Sequence, residues 1–189
     1  MRERYNKITK EILLTIAFAG MLVVASTSPY FLINIARAII KNRKYIKNKT
    51  NEEKIINSLK RLRKNSLIIL REKEDGKFLV QLTNKGKKKI EEIDIENMKI
   101  QKQQNWDKKW RIIIFDIPDK HKKRARDALR ERLQKLNFYK LQKSVWACPY
   151  PCEKEVQFLC EFFNITSFVN IITADKIYDD IKLKKYFNL

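Results

Sequence analysis

The stretch from Trp110 to Trp146 constrains this chain more than any other. It opens on a short apolar run, Trp110-Arg111-Ile112-Ile113-Ile114-Phe115, whose β-branched residues and length suit a buried strand. Asp116-Ile117-Pro118-Asp119 ends that strand, because proline cannot donate to a sheet ladder and fixes its own φ. The spacing then predicts a helix from Lys120 to Leu136. Ala125, Ala128, Leu129, Leu133 and Leu136 fall on one face, and Lys122, Lys123, Arg126, Arg130 and Arg132 fill the other.

Two further strands are expected, Tyr139 to Leu141 and Ser144 to Ala147, with Pro149 and Pro151 bracketing a turn after them. A helix from Glu153 to Phe163 and a strand around Phe168 to Thr173 complete the segment. The order strand-helix-strand-strand-helix-strand is the ferredoxin-like plan. Asp116 closes the first strand opposite a basic helix, and a carboxylate there can hold a divalent metal or organise a polar interface.

The first half carries different signals. No charged residue occurs from Ile12 to Ala36. Its strictly apolar part falls short of the roughly 20 residues a membrane span needs. Arg2, Arg4, Lys7 and Lys10 precede it and Arg37, Lys41, Arg43 and Lys44 follow, so the charge asymmetry that orients a spanning helix is missing. The expectation is a buried helix covering Ile12 to Val24, with no stable membrane association. Ser28-Pro29 starts a second helix, Tyr30 to Ile40. Thr50 with Glu53 three residues on has the spacing of a capping box, and opens a third. In that third helix Ile55, Ile56, Leu59 and Leu62 follow helical period. Leu67 to Glu72 and Lys77 to Leu82 flank Asp75-Gly76, a strong hairpin signal, and Thr83 caps the helix that follows.

Charge narrows the partner. Lys plus Arg number 42 against 22 acids, a formal net charge of +20. Such an excess repels itself unless a polyanion neutralises it, and nucleic acid is the common one. From Lys41 to Lys64 basic residues outnumber acids ten to two. Lys41, Arg43, Lys44, Lys47, Lys49, Lys60, Arg61, Arg63 and Lys64 are the candidate phosphate contacts, joined by Arg126 in the second half.

Other chemistries find little support. Three scattered Gly build no phosphate loop, and His121 is the one histidine. Cys148, Cys152 and Cys160 therefore lack the partners of a zinc site and read as packed, reduced thiols.

Helices followed by a two-stranded wing, closed by Leu82-Thr83-Asn84-Lys85-Gly86-Lys87, resemble a winged helix-turn-helix. Phe115-Asp116-Ile117-Pro118 and Gln142-Lys143-Ser144-Val145-Trp146, at their mutual spacing, resemble the ferredoxin-like fold of the CRISPR-associated Cas-two nucleases. They are more similar still to the central domain of the PaaX family of transcriptional repressors. The resemblance implies an α+β chain: a winged helix-turn-helix at residues 8–93, a linker at 94–109, a ferredoxin-like, Cas-two-like dimerisation domain at 110–175, and a C-terminal tail at 176–189. The family's large C-terminal domain is not expected, since the chain stops soon after the last predicted strand.

The implied function is a cytoplasmic, homodimeric, sequence-specific regulator that binds duplex DNA and needs no cofactor. The alternative is a Cas-two-like metal-dependent endonuclease or CRISPR spacer-adaptation protein. In that case paired copies of Asp116 would hold one Mg²⁺ or Mn²⁺ and be catalytic. By the same resemblance, Arg126 and Ser144 fall near positions that contact phosphate or support the site.

Overall fold

In the computed structural model the chain divides after Glu96 into two units, Met1–Glu96 and Asn97–Leu189. The residues described are 5–19, 22–25, 35, 52–72, 74 and 77–189.

In the first unit, helix α1 (Lys7–Ala19) starts at Asn6, whose side-chain oxygen accepts from the backbone N–H of Thr9 at 2.9 Å. Ile12, Leu13 and Ile16 project from α1 into the core and are fully buried. Strand β1 (Leu22–Ala25) follows, so the apolar run is not one helix to Val24 as expected. Gly20 and the pair Val23-Val24 are poor helix residues, and the strand has a partner waiting in β3 (Lys77–Leu82). Ile35 is helical and fully buried; the remainder of the expected helix from Tyr30 to Ile40 lies outside the described residues, as does Thr50.

Helix α2 (Glu52–Lys64) buries Ile55, Leu59 and Leu62 against α1. It leads directly into β2 (Ile68–Glu72), which pairs antiparallel with β3 from Ile68↔Leu82 to Glu72↔Phe78. The sheet order is β1-β3-β2. Thr83 then caps α3 (Asn84–Asn97), accepting the N–H of Gly86 at 2.9 Å. Gly86 is dictated by packing: a Cβ there would overlap the Leu67 carbonyl oxygen.

The second unit is a four-stranded antiparallel sheet in the order β5-β6-β4-β7. Its elements are β4 (Trp110–Phe115), α4 (Asp119–Lys135), β5 (Tyr139–Gln142), β6 (Val145–Cys148), α5 (Glu153–Phe163) and β7 (Val169–Ala174). This is the ferredoxin-like plan expected from the sequence. Because side chains alternate along β4, Ile113 and Phe115 point to the helix side and are buried, whereas Ile112 and Ile114 point to the other. With so few glycines, asparagine supplies the left-handed residue at three helix ends: Asn137, Asn164 and Asn188 have φ of 63°, 53° and 56°.

Residues 176–189 are more than a tail. A short helix, α6 (Ile181–Phe187), buries Leu183 and Phe187. Phe187 meets Trp110 at 6.1 Å between ring centroids, and Tyr186 meets Tyr139 at 5.1 Å. The helix therefore covers the Trp110 end of the sheet face that α4 and α5 leave open. Tyr186 and Phe187 stand in a polar, lysine-rich sequence, which hides the signal of a docking helix.

Candidate nucleic-acid interface

Two basic surfaces and one carboxylate carry the functional question. On α2 the apolar stripe faces α1, so Lys54, Lys60, Arg63 and Lys64 stand exposed on the opposite side. Arg61, Arg63 and Lys64 lie in the last turn, where cations also complement the helix dipole. Arg61 is engaged locally. Its guanidinium sits 5.0 Å from the centre of the Tyr5 ring, and Lys89 approaches the same ring at 5.4 Å. Tyr5 is in turn fixed by Asn65, which donates to its hydroxyl at 2.8 Å. Lys41, Arg43, Lys44, Lys47 and Lys49 lie outside the described residues.

In the second unit Arg126 does not stand free. Its guanidinium pairs with Asp119 at 2.5 Å and lies 3.7 Å from Asp127. The hydrogen bond from Arg126 holds the Asp119 carboxyl below its ordinary range. One helical turn along, Arg130 does more to shape the surface. Its Nε donates to the Lys143 carbonyl at 3.0 Å and one Nη to the Ser144 hydroxyl at 3.4 Å. It also lies 5.8 Å from the centre of the Phe115 ring. Arg130 thus ties α4 to the β5–β6 turn, a role that sequence reasoning gave to neither residue.

Asp116 is exposed, one residue past β4, and its backbone N–H donates to the Phe168 carbonyl at 3.0 Å. Among the described residues no cluster of three or more His, Cys, Asp or Glu side chains surrounds it or any other point. One carboxylate does not make a divalent-metal site within a single chain, where oxygen donors must number six or more or be completed by water.

Residues 103–185 match the family described as the PaaX protein central Cas2-like domain. The match lies within the second unit and spans all of its sheet. The chain is also similar to the uncharacterized protein Rv0674 from Mycobacterium tuberculosis, at 15% identity over 96% of this chain and 67% of that one, with a TM-score of 0.40. No curated protein matches.

The matched region begins before its first strand, in the stretch expected to be a linker, and an ion pair on a buried arginine shows why. Arg111 of β4 is 7% exposed. It meets Asp107 with two parallel hydrogen bonds, Nη1–Oδ1 at 2.9 Å and Nη2–Oδ2 at 2.6 Å. Nη1 also reaches the carbonyls of Lys109 and Pro149 at 3.2 Å, and Nε reaches the Glu153 carboxylate at 3.4 Å. An arginine inside a β-branched strand was the available signal, since a buried guanidinium must find acceptors nearby. Trp106 packs on Trp110 at 4.9 Å and further anchors the stretch. Among the described residues no helix is long and apolar enough to cross a membrane.

Proposed function

We propose that this protein is a PaaX-type transcriptional regulator, in which the first unit is a winged helix-turn-helix that binds duplex DNA in the cytoplasm. The observation that carries the reading is the order of elements in the first unit. A helix with an exposed basic side, α2, leads straight into the β2–β3 hairpin, and β1 completes the sheet on the far side of β3. In such a module the helix before the wing enters the major groove, while lysines and arginines neutralise flanking phosphates. The exposed Lys60, Arg63 and Lys64 suit the second role, and the net charge of +20 favours a polyanion overall.

The same reading has two copies meet through the second unit. Ile114 and Ile172 are 36% and 46% exposed, and Ile172 pairs across β4–β7 with the half-buried Ile112 on the same face. An apolar sheet face of this kind supports pairing with a second copy of itself.

Titration of fluorescent duplex DNA at several salt concentrations tests the DNA reading. Replacing Lys60, Arg61 and Arg63 with Ala should weaken binding and lower the salt slope by about one unit for each phosphate no longer neutralised. Unchanged affinity and slope in a folded variant would remove α2 from the interface. Sedimentation of the full chain tests pairing: Ile114→Asp with Ile172→Asp should convert a dimer to a monomer, and a monomer before substitution would refute it.

A further inference from the structure

A cavity of about 670 Å³ lies beside the edge strand β5. That is within the range of about 300–1,000 Å³ that small-molecule sites occupy. Its aromatic lining is Tyr139 of β5, Trp146 of β6 and Tyr186 of α6. These rings are held in place. Tyr139 and Tyr186 meet edge to face at 5.1 Å, and the Tyr186 hydroxyl donates to Asn137 at 2.9 Å. Trp146 is buried and fixed in the sheet opposite Lys140. Rings already fixed offer surfaces for a flat ligand at little further cost in ordering.

The polar lining is sorted as well. Arg130 and Asp127 pair at 3.3 Å, and Glu131 pairs with Lys135 at 2.5 Å. The hydrogen bond that Asp127 accepts from Arg130 ends on Oδ1, which leaves Oδ2 open. Among the described residues the side chains of Lys140 and Gln134 have no hydrogen-bond or ion-pair partner, and the buried indole N–H of Trp146 has none either. Lys140 is therefore the lining cation without a carboxylate. The cavity combines aromatic planes, a free amide, an open carboxylate oxygen and one unpaired positive charge.

We propose that this cavity binds a purine nucleoside monophosphate, with the base against the aromatic rings, its amino group served by Asp127 and Gln134, and its phosphate at Lys140. A base stacks on aromatic side chains and presents donors and acceptors on its edge, which matches this mixture. An aromatic carboxylic acid would use the rings and Lys140 but leave Asp127 and Gln134 against apolar carbon. A sugar phosphate would leave the rings bare. The proposal is independent of DNA binding by the first unit, because every lining residue belongs to the second.

The test is equilibrium dialysis of the full chain at one fixed salt concentration against AMP, GMP, adenosine, ribose 5-phosphate and benzoate. AMP or GMP should bind at least about tenfold tighter than ribose 5-phosphate, which controls for unspecific attraction to a chain of net charge +20. Lys140→Ala should weaken the nucleotide about tenfold and leave adenosine unchanged, because only the phosphate loses a partner. Gln134→Ala should weaken nucleotide and adenosine alike. Both residues are exposed, so both variants keep the fold. Lys60→Ala with Arg63→Ala should leave nucleotide binding as it was, which separates this site from the duplex-DNA surface. Equal binding of ribose 5-phosphate or benzoate, full affinity in Lys140→Ala or Gln134→Ala, or no nucleotide bound at millimolar concentration would overturn the proposal.

Discussion

Asp107 and Arg111 face each other through both carboxylate oxygens and both terminal nitrogens, one turn of chain before and just inside β4. Breaking that pair leaves a guanidinium almost sealed from water without its main acceptor. Asp107→Asn should cost about 2 kcal/mol in chemical denaturation, less than a fully buried pair because the carboxylate remains partly exposed.

The same pair predicts a pH dependence. The hydrogen bond from Arg111 holds the Asp107 carboxyl below its ordinary range. A group whose folded pKa is lowered gives stability that is complete above the unfolded value, about 3.9 for aspartate. That stability is lost as pH falls through the folded value. The acid limb of the stability curve should therefore flatten in Asp107→Asn; an unchanged limb would show that the pair does not contribute.

Gly86→Ala drives a methyl group into the Leu67 carbonyl oxygen, a backbone atom that cannot swing aside. The expected loss is at least about 1–3 kcal/mol, as for other overpacked sites, despite the better helix propensity of alanine. Thermal unfolding of the variant checks this directly.

Phe187→Ala should destabilise the second unit by about 3 kcal/mol, since it removes a buried ring that packs on Trp110 and Tyr150. Tryptophan fluorescence should shift to the red as Trp110 gains water. A variant as stable as the unsubstituted chain would return residues 176–189 to the status of a tail.

Asp116→Asn separates regulator from nuclease. Asp116 is exposed, so its substitution should change stability by no more than about 0.5 kcal/mol and leave DNA binding intact. Cleavage of DNA by the unsubstituted protein that needs Mg²⁺ or Mn²⁺ and disappears in Asp116→Asn would reverse the proposed function.

Where local chemistry decides the outcome, the residues are legible. Asp75-Gly76 between two apolar runs announces the β2–β3 hairpin, and Thr83 announces the start of α3. The six elements of the ferredoxin-like plan follow from alternation, helical period and the proline pair, with boundaries within two residues. The misses share a different cause. β1 is hidden because an apolar run of that length suits helix and strand alike, and its strand state depends on pairing with residues far along the chain. Arg111 with Asp107, Arg130 with Ser144, and α6 on the sheet are all fixed by tertiary partners that no local pattern names.

The pairing of β1 with β3 has a kinetic side. Glu72 and Phe78 meet across a short turn, whereas Ala25 must find Lys77. The entropy of closing the longer loop makes the hairpin the cheap early event and β1 the late arrival. On the ribosome β1 emerges well before its partner is synthesised. An apolar segment of the first unit thus waits unpaired through that interval, and the unit's sheet cannot close until translation has passed Leu82.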